Sequence, residues 1–458
     1  MTPADRSRMP APGEPRAFVF PRAGKRKLAS GLSVWAVERR SLPLVTLVLV
    51  IPAGSAADPA GRAGLAAMTA DMLDEGSGGR SAIEIHESLV RLGTALDTGI
   101  GADAVELSLT VLDRFVPDAL RLLSEIVVHP ALSTADVERV RVLRMHRLLQ
   151  LRSVPVAGAE AVFLRAIYGD QAYGHLPQGS SASLTGLGAE EVAAFHRTHY
   201  DPGRATLVCV GAVRPDAFAR AADDAFGSWR ANVGGTADER PAARAPLPEA
   251  TARILLVDRP GAAQTELRVG HVGAARRIDE YPALVLLNAV LGGHFMSRLN
   301  ANLRERRGFT YGVRSSFDLR RMPGPFAVQT SVQTDATAEA VSEILAELEA
   351  LRGARPAAPH ELALSSSTLT RGYARNFETA GQVARGLAQL ALLGLPDDTF
   401  ETFVPRIEAV REEDLLRAAG VHLRPHEAVV VAVGDGDRIR SALNGLGLGA
   451  PAETVPDL

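Results

Sequence analysis

Cysteine occurs once in this chain of 458 residues, at Cys209. A lone thiol excludes an intrachain disulfide framework and fits a reducing compartment. Inside the apolar run ATLVCVG (205–211) it reads as a buried strand side chain rather than a nucleophile. Lysine is almost missing as well: every basic side chain is arginine except Lys25 and Lys27, a coding bias rather than chemistry. Positive charge is not in excess, because the formal net charge is −3 at pH 7. The chain therefore lacks the electrostatic footprint of a nucleic-acid binder or of a protein held on anionic membranes. Long apolar segments are also missing. LPLVTLVLVIPAG is the longest, too short to span a bilayer and β-branched as a strand should be. The opening MTPADRSRMPAPGEPRAFVFPRAGKRK has no apolar signal region, and Asp5, Glu14 and its prolines count against a transit helix. The expectation is a cytoplasmic protein.

What is present is ordinary globular material, 46% apolar and 22% charged, long enough for more than one domain. It is arranged twice. ATLVCVGAVRPDAFARAADDAFGSW (205–229) and AVVVAVGDGDRIRSALNGLG (428–447) each give an apolar strand, a glycine and a helix. LVTLVLVIPAGSAADPAGRAGLAAMTADML and QTELRVGHVGAARRIDEYPALVLLNAVLGG share a strand, a turn and a helix. Asp58 and Pro59 stand at the first helix's entrance as N-cap and first-turn residues, and Asp279 and Pro282 precede the second. Helical stretches such as TADVERVRVLRMHRLLQLR and QVARGLAQLALLG, and strand patterns such as AVELSLTVL and FAVQTSVQTD, fill the rest. Residues 231–252 are rich in Gly, Ala and Pro, as a linker is. The fold class expected is α+β: two homologous domains, 29–230 and 253–458, each a sheet packed against helices, behind an N-terminal extension of residues 1–28.

GLAAMTADMLDEGSGG (64–79) reads as an amphipathic helix running into a glycine-rich turn, with Leu65, Met68, Met72 and Leu73 on one apolar stripe. Ala67, Ala70 and Asp71 project side by side at i, i+3 and i+4. That is the spacing of an H-x-x-E-H helix, in which two histidines hold zinc and the glutamate activates water. Alanine has no donor atom, and one aspartate cannot hold zinc.

Together with AYGHLPQGSSASL, FHRTHYDPGRATLVCVG, LGGHFMSRLNANLRERRGFTYGVRSSF and NFETAGQVARGLAQL, in that order, this stretch makes the chain from about residue 29 onward resemble the pitrilysin/insulinase family of zinc peptidases. The likeness is to the branch similar to mitochondrial processing peptidase, with two domains per chain forming one half of a clam. The resemblance implies that the family's two histidines fall on Ala67 and Asp71 and its glutamate on Ala70. The downstream ligand falls near Arg147 or Leu148 in RVLRMHRLLQLRSVP, neither of which can serve, so no metal is expected in this chain. It also implies that the family's arginine–tyrosine pair falls on Arg304 and Tyr311 in LRERRGFTY. SRLNANLRERRG reads as a helix with Arg306 and Arg307 in its last turn and Gly308 at C′, and FTYGVRSSF leaves as a strand. Arg304 and Tyr311 then flank one corner, where a guanidinium fork and a phenol can donate to a scissile carbonyl and its oxyanion. Gly292, Gly293 and Phe309 are the candidates for lining the substrate cleft.

Other signals carry less. His196 and His199 have ligand-like spacing but sit at a helix end before a strand, and HESLV at His86 has Val90 in the second histidine's place. Asp74 and Glu75 read as solvated carboxylates at a helix end, and His294 as structural. LGGHFMSRL is no phosphate cradle. The reading is a non-zinc subunit, inactive alone, of a heterodimeric zinc metallopeptidase. Arg304 and Tyr311 act as the catalytic pair, zinc lies in a homologous partner, and unfolded peptides are the substrates, with no nucleic acid or membrane. Two alternatives stay open: an inert structural or peptide-binding subunit of a larger complex, and an enzyme acting alone through unrelated chemistry.

Overall fold

Val, Ile and Leu run almost unbroken through LVTLVLVI and TLVCVG, the pattern of strands covered on both faces. The computed structural model describes residues 18–230 and 253–458, so the linker expected at 231–252 and the first 17 residues lie outside the described residues. The first sheet contains Gly24–Lys27 (β1), Ser33–Glu38 (β2), Leu44–Ile51 (β3), Asp97–Ile100 (β6), Val105–Leu112 (β7) and Thr206–Gly211 (β8). Gly76–Ser77 (β4) and Arg80–Ser81 (β5) form a separate hairpin whose turn residues, Gly78 and Gly79, have φ of +57° and +83°. The second sheet contains Ile254–Asp258 (β9), Gln264–Val272 (β10), Val313–Phe317 (β11), Pro325–Gln333 (β12), Val429–Gly434 (β13) and Ala452–Glu453 (β14).

Strand order is β1-β2-β8-β3-β7-β6 in one sheet and β11-β12-β10-β13-β9-β14 in the other. Read from opposite ends, β2, β8, β3, β7 and β6 correspond to β9, β13, β10, β12 and β11. Within that set only β2–β8 and β9–β13 pair in parallel. The edges differ: β1 runs antiparallel to β2, whereas β14 runs parallel to β9. The boundary expected at residue 28 is corrected here, because β1 is part of the sheet and Phe20, 3% exposed, is core.

Alternation along β3 and β8 sends side chains to two different cores. Val45, Leu47, Leu49, Ile51 and Leu207 face helices of the first half, among them Leu65–Asp71, Val116–Val128 and Ala189–His199. Val48, Val50, Val208 and Val210 face Val383, Ala384, Leu387 and Ala388 of the Ala380–Leu393 helix, which belongs to the second half. The arrangement is reciprocal. The Pro155–Tyr168 helix of the first half lays Ala159, Val162, Phe163 and Ile167 on Val429, Val431 and Val433 of the second sheet. Each sheet is thus packed between helices of its own half and one helix from the other.

The entrance to the Leu65–Asp71 helix also differs from expectation. Its N-cap position is Gly64, at φ +93°, and Asp58 caps from a distance by accepting from the N–H groups of Gly64 and Ala66, both at 2.7 Å. Among the described residues no helix is long and apolar enough to cross a membrane.

The exchange makes the halves mutually dependent. Phe163→Ala and Leu387→Ala are each expected to lower stability by about 2–5 kcal/mol, as large-to-small core changes do. In urea, followed by far-UV circular dichroism, each variant should shift a single transition. Two separated transitions, with one unmoved, would contradict the mutual dependence.

Candidate functional site

The helix face with metal-site spacing is closed. Ala67 and Ala70 are 1% and 2% exposed, packed in the core. Asp71 accepts from Nη1 of Arg144 at 2.7 Å, and Nη1 of Arg147 lies 3.6 Å away. Arg144 is buried and also donates to the Gln178 carbonyl at 3.2 Å. The Thr134–Arg152 helix therefore stands opposite Asp71 and presents guanidinium groups where a zinc ligand is needed. One carboxylate already held by two cations offers nothing to a dication, so zinc does not fit these residues. Behind Asp71 the Tyr200 hydroxyl is buried without a hydrogen-bond partner; burial first, then the charge of Asp71, push its pKa up. Among the described residues no group of three or more His, Cys, Asp or Glu side chains is placed to hold a metal.

Arg304 and Tyr311 line one cleft of about 760 Å³, together with Gly292, Gly293, His294 and Phe295. Two π-helical stretches frame it: Ala289–Gly293, continuing the Tyr281–Asn288 helix, and Asn300–Arg306. The wide turn shows in Arg307 N–H, which donates five residues back to Asn302 O at 3.0 Å. Gly308, at φ +67°, ends the helix as expected, with Phe309 N–H reaching Leu303 O at 2.9 Å. The guanidinium of Arg304 stacks on Phe295, 4.0 Å from the ring centroid, and its Nε is 3.5 Å from Glu305. Stacking uses the face of the guanidinium and leaves the N–H edges available.

Tyr311 is 94% exposed, yet its backbone is pinned. Thr310 Oγ1 accepts from Gly312 N–H at 3.1 Å, and Thr330 Oγ1 donates to Gly312 O at 2.9 Å. Asn300, which sequence reasoning missed, fixes both walls. Its amide donates to Ser297 Oγ at 3.1 Å and to Val313 O at 2.9 Å, while its carbonyl accepts from Val313 N–H at 3.2 Å. The available signal was a pair of short amides, Asn300 and Asn302, inside a helical stretch, where such residues are poor helix formers. Arg298 also went unnoticed; it grips Glu361 with two bonds of 2.7 and 2.6 Å and so ties the arginine helix to the Pro359–Thr370 helix.

The cleft floor is charged. Arg268, 1% exposed, donates to Glu160 at 3.2 Å and pairs with Glu266, which also accepts from Ser331. Gly292 is required by close approach, since a Cβ there would lie 2.6 Å from Ser315 Oγ. His294 Nδ1 accepts from Met296 N–H at 3.1 Å, which leaves the proton on Nε2, 3.1 Å from Ser365 Oγ; burial lowers its pKa. Phe309 does not line this cleft, contrary to expectation: its side chain packs half-buried on the second core.

The lesser candidates fall elsewhere. His196 bonds to the Val127 carbonyl at 2.8 Å at the end of its helix, and Cys209 is fully buried. Asp74 is not a solvated carboxylate: burial raises its pKa, with His86 3.6 Å away opposing, while Glu75 pairs with Arg139.

Residues 34–168 match a family profile described as insulinase (peptidase family M16), and residues 186–363 one described as peptidase M16 inactive domain. An uncharacterized zinc protease of Mycobacterium tuberculosis is 27% identical over 318 residues, 69% of this chain and 72% of that protein. A probable inactive metalloprotease of Bacillus subtilis, YmfF, is 22% identical over 305 residues, 65% of this chain and 69% of that protein. The crystal structure of a peptidase M16 inactive domain from Pseudomonas fluorescens superposes with a TM-score of 0.81 at 24% identity, over 90% of this chain and 98% of that one. A protease from Helicobacter pylori gives 0.82 at 18%, over 91% and 100%. The two structures share this fold.

With Asp71 held by arginines and its neighbours methyl groups, the purified chain is expected to retain well under one zinc per molecule after dialysis against zinc-containing buffer. Elemental analysis checks this. One tightly held zinc per chain would contradict the closed-face description.

Proposed function

The chain belongs to the M16 peptidase family, and from that premise we propose that it is the non-zinc subunit of a heterodimeric zinc metallopeptidase. A homologous subunit supplies the metal and its water. This chain supplies substrate binding and two hydrogen-bond donors for the tetrahedral oxyanion. The observation that carries the reading is the contrast between two places in one molecule. The metal face is sealed by Arg144 on Asp71, while Tyr311 stands 94% exposed beside Arg304 in an open cleft.

The local chemistry supports that assignment. The guanidinium, stacked on Phe295, keeps in-plane N–H groups for a planar or tetrahedral oxygen acceptor. The phenol on its pinned turn offers one O–H without having to release another partner first. Phe295 and Met296, 60% and 67% exposed at the rim, give apolar contact for an unfolded peptide or for the partner's surface. An inert peptide-binding subunit is the alternative, favoured by the match of residues 186–363 to a domain described as inactive. The same variants separate the two readings.

Paired with a homologue that carries H-x-x-E-H, Arg304→Ala and Tyr311→Phe should each lower peptide turnover by about 100- to 1000-fold, as loss of one oxyanion donor does. Arg304→Lys should recover only part of the loss, because an ammonium cannot reproduce the fork. Unchanged turnover in all three variants would leave the inert subunit as the reading. The pair itself should elute as one complex, since a specific interface buries at least about 1,200 Å². Light scattering after size exclusion reads this directly, and separate elution of the two chains at micromolar concentration would end the heterodimer proposal.

A further inference from the structure

A second recess, of about 650 Å³, opens beside the exchanged Ala380–Leu393 helix, between the first sheet and the ring cluster of Tyr281, Tyr373 and Phe403. It shares no lining residue with the Arg304–Tyr311 cleft. Arg276 forms part of its wall and is 8% exposed. Its guanidinium carbon lies 3.4 Å from the centroid of the Tyr281 ring. Burial holds its pKa below the usual arginine value and Arg406 adds to that shift; Tyr281, through its charge and a side-chain hydrogen bond, and Tyr373 oppose it, with no carboxylate among these groups. A desolvated guanidinium that holds a tyrosine and has another arginine near it, with no carboxylate acting on it, still carries a charge that an anion can neutralise.

The rest of the recess is complementary to one kind of ligand. Arg385, exposed on the exchanged helix, brings a second guanidinium to the lining. Glu106 is the one carboxylate among the described lining residues; burial raises its pKa, and the charge of Arg385 opposes that shift. The Tyr373 ring is stacked on Phe403 with centroids 4.4 Å apart and planes 18° apart, giving a flat apolar wall. A fork for a planar anion and a wall for a ring stand in the same cavity.

We infer that this recess binds a small organic carboxylate with an aromatic or bulky apolar body. Arg276 forks the carboxylate, and the Tyr373–Phe403 wall takes the body. A free acid carries this chemistry, and so does the carboxyl-terminal residue of a peptide. The inference stands apart from the heterodimer reading, because it uses none of the same residues.

Calorimetric titration of the full chain tests it with three probes: N-acetyl-phenylalanine, its neutral amide, and a tetrapeptide ending in phenylalanine with a free carboxylate. The acid should bind saturably and the amide at least about tenfold more weakly, the worth of a charge-assisted hydrogen bond. Tetrapeptide binding as tight as the acid's assigns the site to peptide ends, and binding of the acid alone assigns it to free acids; both support the site. Arg276→Gln should weaken the acid about tenfold or more. Arg385→Gln, at an exposed position where folding is not at stake, should weaken it severalfold. Arg304→Ala should leave probe affinity unchanged. No saturable binding by millimolar acid, equal binding of acid and amide, or undiminished affinity in both arginine-to-glutamine variants would overturn the inference.

Discussion

Everything in this molecule depends on the exchange of one helix between the halves. Strands β3, β8 and β13 are apolar on both faces, and a single layer of helices covers only one. The missing layer comes from the other half: Leu387 and its neighbours cover Val48 and Val208, and Phe163 and its neighbours cover Val431. Neither half therefore completes its core alone. The exchange also builds the candidate site, because the Pro155–Tyr168 helix places Val156 at the cleft that holds Arg304 and Tyr311 and Glu160 against Arg268 in its floor. The second recess has the same origin, with the exchanged Ala380–Leu393 helix forming one of its walls.

A buried ion cluster marks the register of one of these exchanges. Arg268, among the largest fully buried side chains, meets Glu266 on its own strand and Glu160 on the exchanged helix. Burying charge costs several kcal/mol per ion unless each partner is in place, so a sliding helix would leave Arg268 short of a partner in the core. Apolar contacts alone are tolerant of small shifts; this cluster is not. It lies directly under the cleft, which ties the position of the floor to the position of the helix.

Element positions were legible in the sequence because periodicity reports burial. The doubled strand–turn–helix plan emerged as matching strand orders. Which sheet a helix covers was not legible. QVARGLAQLALLG is apolar around most of its circumference, and that pattern says buried without naming a neighbour. The Arg304–Tyr311 corner was readable because both residues lie within one short helix-to-strand turn, closed by Gly308. Phe309 was misplaced for the same local reason: at a corner, successive side chains diverge, and its own turned to the core. Asn300 acts on residues close in sequence, Ser297 and Val313, but its role depends on the helix-to-strand corner closing, while Arg268 reaches Glu160, 108 residues away, which no local pattern announces. Arg144 is intermediate. The downstream ligand's place was expected near Arg147 or Leu148, and Arg147 does approach Asp71, yet the shorter contact comes from Arg144, one helical turn earlier.

Charge explains why the two faces have such different states. Arg144 is buried and would be an unpaired cation without Asp71, so the aspartate is held by electrostatics as firmly as by packing. Returning a metal to that face would take more than new ligands, because Arg144 and Arg147 would repel a dication from a few ångströms away. The metal face is thus closed by a favourable contact rather than merely emptied. Arg304 and Tyr311 show the opposite economy. Asn300, Thr310 and Thr330 fix the backbone of Gly312 and Val313 just after Tyr311, while the Arg304 guanidinium rests on Phe295 and the Tyr311 ring stands exposed. An exposed phenol on a rigid turn contributes little to folding.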